Sequence, residues 1–527
     1  MIFPRKIFGF LIIGMMILLF SSCQFGRAEN DFVYDLDASA VNLDPQSAGD
    51  TASCLVIANL FEGLVSVDDS GEPSPAAAKS WTVSSDERCY TFELLPEAKW
   101  ENGDPVTAAD FVFAFQRLLD PDTNAPFAKD FYGIENAAAV HSGQMEPELL
   151  GVHALSEYTL EIRLSEPDPS FFEKLSTAAA MPCHKEFFLE TKGRYGLARE
   201  NIMGNGPFYL SNWAENGNLS FRPNKYYHDA ANVTATSLLY VVPKEERASK
   251  VERFLNGTLS AAHFSGSEYL SIRQAGDFEM QQNDSAVWGM VFNCNTEPFS
   301  STLMRKALFL AADFSTMNAA LPDYLEPISF IIPSSMEIDG KSYRSIVGNP
   351  TVTQHDVAAA QTVYQQALTE VDTDSIRGIR MILPAEEDHA EYFAYLAQIW
   401  QRDLGIYITV ESLEQAEYEQ RLSSGDFDCA LLRLSGTSNP TALLSALDNS
   451  VYGCIDPSYS DLIRQAQQSK GTQMAQLCFQ AEQLLLDTYS FLPFYRQSEY
   501  FVLNEGIHGI TYHFQTEIPD FRYGFVK

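Results

Sequence analysis

The segment Gly425–Pro440, GDFDCALLRLSGTSNP, sets one arginine at the end of an apolar run and follows it with small polar residues. After Asp428 it carries no carboxylate, although the chain has a net charge of −35. Arg433, Leu434, Ser435, Gly436, Thr437, Ser438 and Asn439 supply a guanidinium, hydroxyls and an amide. That is the chemistry of holding something by hydrogen bonds, and the small side chains leave room for it. Arg433, with Arg421 upstream, could anchor a carboxylate through charge-assisted bonds. The competing reading makes both arginines ordinary surface charges.

Bond-breaking chemistry has no visible address. The chain contains no GxSxG elbow, no HExxH, no SxxK placed with KTG and no Cys-His signature. His184 near Glu186 and His389 near Glu391 are the closest approaches to an acid-base or metal cluster, and such pairs are usually surface residues. GNGPF at 204–208 is Gly-rich but lacks phosphate-loop spacing. No cofactor and no metal are expected.

The elements that must position these residues are legible from periodicity. CYTFELL at 89–95 and YTLEIRL at 158–164 alternate apolar and polar residues and read as half-buried strands. Between them TAADFVFAFQRLLDP reads as a helix capped by Thr107 and ended by Asp120-Pro121. RGIRMILP (377–384), HAEYFAYLAQIWQRDLG (389–405) and IYITVESL then give strand, helix and strand, which implies a βαβ unit and a parallel pair. DFDCALLRL (426–434) adds a strand whose carboxyl end is Ser435–Asn439, and open α/β sheets bind ligands at that end.

At 527 residues the chain should divide into at least two domains, and no flexible linker marks the division. Seventy acidic against 35 basic residues repel phosphate backbones, so nucleic acid is not an expected partner. The amino terminus pairs Arg5 and Lys6 with the apolar run IFGFLIIGMMILLF and ends it at Ser21, Ser22 and Cys23. That pattern is an export signal, residues 1–23, resembling a lipobox in which Cys23 becomes the lipidated first residue. An uncleaved anchor is the alternative. Seven further cysteines show no metal-ligand spacing; buried free thiols are the default, and no pairing can be read.

Several pieces in order carry a resemblance. They are Leu43-Asp44-Pro45, Phe61-Glu62-Gly63-Leu64, Trp81, Trp100 to Pro105, Thr107 to Asp110, GNGPFYLSNW (204–213), NKYYHD (224–229), VFNCNTEPFSSTLMRKALFLAAD (291–313), GDFDCA and FLPFYRQ. Together they resemble the extracytoplasmic solute-binding proteins of the oligopeptide/dipeptide/nickel ABC importer family. The resemblance implies an α/β, two-lobed periplasmic-binding-protein type II fold, with a small extra domain on the first lobe and two hinge crossings near 284–290 and 495–500. It implies lobe one at 31–62, 182–286 and 498–527, an accessory domain at 63–181, and lobe two at 287–497. It further implies a monomeric, lipid-anchored, non-enzymatic subunit outside the cytoplasm. That subunit would hold an extended peptide between its lobes and serve a permease and its ATPases.

In the family's peptide binders the loop after the GDFD strand carries an aspartate that pairs with the ligand's α-ammonium. Thr437 falls at that position, Leu431 where the strand's arginine is usual, and Glu414 or Gln415 where a tryptophan is expected. The ligand would then lack a free ammonium, or another acid would reach the cleft: Glu414, Glu417 and Asp428 are nearest in sequence. Two alternatives to a peptide binder remain. One is the same fold holding a metal chelate, haem or a sugar; the other is a surface interaction module or enzyme on that fold.

Overall fold

The computed structural model describes residues 30–527 apart from 37, 68–72, 169, 243–247, 315–317, 319–320, 323, 377, 386–388, 435–438, 455 and 515. Cys23 and Ser435 to Ser438 therefore lie outside the described residues. None of the described helices is long and apolar enough to cross a membrane.

The alternating segments form strands in the register that their burial requires. In Cys89–Leu94, Tyr90, Phe92 and Leu94 are buried, and Tyr90 and Phe92 face Ile162 and Leu160 of Thr159–Arg163 across an antiparallel ladder. With Ala78–Val83 and Val152–Ser156 outside them, these strands make a four-stranded sheet. The helix Ala108–Leu118 begins as expected: the Asp110 carboxylate accepts from the Thr107 backbone N–H at 2.8 Å and from its hydroxyl at 2.9 Å. A second four-stranded sheet runs Asp31–Asp35, Ser237–Val241, Leu219–Pro223, Phe208–Trp213. One continuous apolar core joins the two sheets, from Phe32 and Phe61 through Phe92 and Phe115 to Phe521.

The family-like pieces of this region hold it together. Arg117 leaves its helix to meet Asp44 at 2.5 Å and Gln46 at 2.6 Å, all three buried. Glu62 accepts from the Tyr227 hydroxyl at 2.5 Å and pairs with His228 at 2.7 Å, while Asn205 bridges its backbone on both sides. GNGPF is a packing device. A Cβ on Gly204 would lie 1.9 Å from the Leu60 carbonyl oxygen, so only glycine allows the two backbones to approach.

The seven-stranded sheet organises the rest. Its order is Ala261–Ser265, Phe491–Leu503, Glu279–Phe292, Cys429–Leu434, Ile379–Pro384, Ile408–Leu413, with Leu325–Pro327 also on Phe491–Leu503. Ile379–Pro384 runs parallel to both Ile408–Leu413 and Cys429–Leu434, which gives the βαβ unit expected from the sequence. Both faces of the sheet are covered. Cys429 and Leu431 enter one core with Met290, Met381 and the helix residues Phe393 and Trp400. Ala430 and Leu434 enter the other with Val291, Ile382 and Ala481. Burial on both faces is why CALLRL shows no alternation.

Glu279–Phe292 and Phe491–Leu503 are the two long strands of the molecule, 14 and 13 residues. They pair antiparallel from Glu279↔Leu503 to Val291↔Phe491, carrying the chain from the Ala261–Ser265 side to the parallel strands. Their ladder is irregular between Asn283 and Ala286 and again between Trp288 and Gly289. Beyond the first strand's end, Cys294 and Cys454 form a disulfide, which corrects the expectation of free thiols at those two positions. Cys54, Cys89, Cys183, Cys429 and Cys478 carry none, and Cys54 and Cys89 are only half-buried.

Candidate functional site

The parallel strands all end toward the irregular stretch of the long strands. Cys429–Leu434 lies antiparallel to Glu279–Phe292, with Leu434 opposite Val287 and Arg433 opposite Trp288. Its carboxyl end thus meets the long strands where their ladder changes register, beside the ends of Ile379–Pro384 and Ile408–Leu413. The carboxyl end of parallel strands is where an α/β sheet offers a crevice.

Side chains from several segments converge there. Arg433, on the same sheet face as Trp288 and Tyr495, bonds Glu499 and lies 3.8 Å from Glu517. Glu499 is buried, and His263 stands 3.8 Å from the same carboxylate oxygen with its ring stacked on Tyr512. Trp288 donates its indole N–H to Gln497 at 2.5 Å and packs on the His389 ring at 4.4 Å. His389 opens the helix His389–Leu404, shares a 2.5 Å hydrogen bond through Nδ1 with the Tyr495 hydroxyl, and has no partner for its buried Nε2 among the described residues. Burial pushes its imidazolium pKa down to about 3, so the ring is neutral. His263 is also held down to about 3, first by burial and then by the charges of Lys250 and Arg433.

The residues singled out in the sequence separate into four groups. Arg433 lies in this convergence, and Ser435 to Ser438 follow it outside the described residues. Leu434 is a core residue, and Asn439 caps the helix Pro440–Ser445 by accepting from the Thr441 N–H at 2.9 Å. Arg421 is at the other end of the strand: it pairs with Glu411 at 2.6 Å and donates to the Asp426 carbonyl at 3.2 Å, ahead of Cys429. Asp428 is at that amino end too, accepting from the Arg380 N–H at 2.6 Å. Glu414 and Glu417 are exposed at the carboxyl end of Ile408–Leu413. The acids that do reach Arg433, Glu499 and Glu517, lie far along the chain, and nothing in the local sequence around 433 points to them. Among the described residues, no group of three His, Cys, Asp or Glu could hold a metal ion.

A separate cleft of about 220 Å³ opens beside the hairpin that carries Glu517. Its lining includes Glu62, His513, Thr516, Asp520 and Arg522.

Comparison with known proteins agrees with this architecture. The profile of the bacterial extracellular solute-binding proteins, family 5 Middle, matches residues 72–451. The dipeptide-binding protein DppE of Bacillus subtilis (strain 168) is 27% identical over 90% of this chain and 88% of its own length. The periplasmic murein peptide-binding protein MppA of Escherichia coli (strain K12) is 27% identical over 89% and 88%. The crystal structure of the substrate-binding domain of an oligopeptide ABC transporter from Bacillus anthracis str. Ames superposes with a TM-score of 0.76 at 26% identity. It covers 95% of this chain and 99% of that one.

Proposed function

The chain belongs to the family 5 bacterial extracellular solute-binding proteins, and from that premise we propose that it captures peptides between two lobes and delivers them to the permease of an ABC importer. Members of the family are transport components and not enzymes. The observation that carries the reading is the direction of the parallel strands, whose carboxyl ends meet the long strands where the ladder between them changes register. A ligand lying there as an extra strand would gain main-chain hydrogen bonds, with its side chains free to vary. The long strands serve as the two crossings, with the hinge at the irregular stretch near 284–290 and 495–500. Lobe one takes 31–62, 182–286 and 498–527, the accessory domain 63–181 and lobe two 287–497. Lipidation of Cys23 tethers the protein outside the cytoplasm.

The ligand class rests on the residue type at 437 in the sequence, a threonine where the resemblance leads one to expect an aspartate. A neutral hydroxyl cannot balance a buried ammonium, so peptides with blocked or unusual amino termini, such as cell-wall fragments, fit better than ordinary peptides. This is also the kind of ligand for which the murein peptide-binding relative is named. Mass spectrometry of what copurifies with the exported protein tests both levels. Peptides recovered intact are the expected result. Recovery of a sugar, haem or metal chelate instead would overturn the peptide reading, and a cleaved peptide would overturn the binding role.

A further inference from the structure

Arg433 and its carboxylate partners stand on opposite sides of the break in the long-strand ladder. Arg433 belongs to a strand that pairs with residues 287–292, on the lobe-two side of the irregularity between Asn283 and Ala286. Glu499 faces Asn283 on one neighbour and Ser265 on the other, both on the lobe-one side. Glu517 lies between the paired strands Thr511–His513 and Ile518–Asp520, whose Tyr512 packs in the lobe-one core. We infer that Arg433 is a hinge-spanning latch, one guanidinium bonded to Glu499 and reaching Glu517 across the break, which sets the angle between the lobes when no ligand is present.

Burial gives the contact its force. Glu499 is 4% exposed, so its charge needs a counter-charge at hand. His263 is near enough, but in its neutral form it supplies none. Among the described residues Arg433 is the cation that bonds Glu499, and a hinge rotation that withdrew it would leave a buried charge under-compensated. Glu517 lies farther out, in a turn with its side chain 48% exposed, and its 3.8 Å contact lengthens or shortens as the lobes move. Its share is accordingly smaller and more sensitive to salt. Asp284, inside the irregular stretch, accepts from Ser498 at 2.7 Å and stiffens the break locally, but both residues lie within the crossings and neither spans them. A ligand gains closure energy only as far as it favours one hinge angle over another. The latch therefore acts on affinity without touching the ligand.

The inference rests on the two-lobed reading, so its test uses no ligand. Small-angle scattering and interlobe distance distributions would be measured on the ligand-free full chain, wild type against Arg433→Gln, Arg433→Met and Glu517→Gln. Arg433→Gln and Arg433→Met should each move the ratio of open to closed forms by roughly tenfold. Glu517→Gln should move it by about two- to threefold, and that shift should vanish at high salt. Unchanged distributions in a folded Arg433 variant overturn the latch. Should both Arg433 variants fail to fold, an unchanged distribution in Glu517→Gln overturns it, because that exposed turn tolerates substitution. A protein that binds no peptide would refute the proposed function and leave this result standing.

Discussion

Two regions of the molecule use polar residues in opposite ways. In the first, around Asp44, Glu62 and Gly204, every polar group named is matched to a partner within the same unit. Asp44 has Arg117, Glu62 has Tyr227 and His228, and Asn205 serves the Glu62 backbone on both sides. In the second, at the carboxyl ends of the parallel strands, the matching is incomplete. His389 keeps a buried nitrogen without a partner among the described residues, one guanidinium serves two carboxylates, and Glu414 and Glu417 face solvent. Among the described residues buried groups are left over in the first region too, at Trp100 Nε1 and the Tyr195 hydroxyl, so the contrast lies in the charges: there each is paired within its own unit, whereas at the strand ends one guanidinium is shared and two carboxylates face solvent. The family-like pieces are dense in the first and altered in the second, so the residues that identify the fold differ from those that choose the ligand.

The largest effect that would sharpen this contrast is Gly204→Ala. Its Cβ would meet the Leu60 carbonyl oxygen at 1.9 Å, and backbone cannot step aside as a side chain can. A loss of more than about 3 kcal/mol is expected in chemical denaturation. Next comes Arg117→Met, which strands the buried Asp44 carboxylate and should cost about 3–5 kcal/mol. Adding Asp44→Asn should return a large part of that loss, since the uncompensated charge goes with it. Equal stability of the single and double variants would break the assignment of Asp44 and Arg117 as a self-contained pair.

In the second region the leftover groups predict an acid sensitivity. His389 and His263 are neutral in the folded protein, with pKa values near 3, and take up protons near 6.5 once unfolded. The unfolded state then binds more protons as pH falls through 6.5, so stability drops from that point downward. The loss levels off only near pH 3. Each group contributes at most about 1.4 kcal/mol per pH unit within the window. His389→Gln should flatten the dependence of the denaturation midpoint between pH 6.5 and 4. An equally steep dependence in that variant would mean that other groups carry it.

How far the sequence could be read follows the same division. The strands at 89–95 and 158–164, the Thr107-capped helix and the parallel unit at 377–413 are local in period, and the structure has these elements in place, with the parallel pair as expected. The contacts that make the site are not local. Arg433 and Glu499 are 66 residues apart and Cys294 and Cys454 are 160 apart, joined only because the long strands bring distant segments together. Leu434 lies in a core because its strand is buried on both faces, and such a strand gives no sign in the sequence of which side chains face that core. Asn439 shows the same ambiguity from the other side: its side-chain oxygen caps a helix, and a helix cap and a binding amide use the same residue type.

The smallest expected effect separates the two ends of one strand. Arg421 and Arg433 read alike in the sequence, each an arginine beside the segment expected to bind. In the structure Arg421 holds Glu411 and the Asp426 carbonyl at the amino end of Cys429–Leu434, while Arg433 holds Glu499 at the carboxyl end. The Arg421 contacts stay within the parallel-strand unit and cross no break in the ladder, so its removal should leave the angle between the lobes alone. Arg421→Gln should cost under about 1 kcal/mol of stability, the range for a partly exposed pair. It should also change affinity for a copurified ligand by less than about twofold. The comparison is made by calorimetry on Arg421→Gln and Arg433→Gln side by side. Should Arg421→Gln weaken binding as much as Arg433→Gln, the amino end of the strand would have to be counted as part of the site, and the distinction between the two ends would fall.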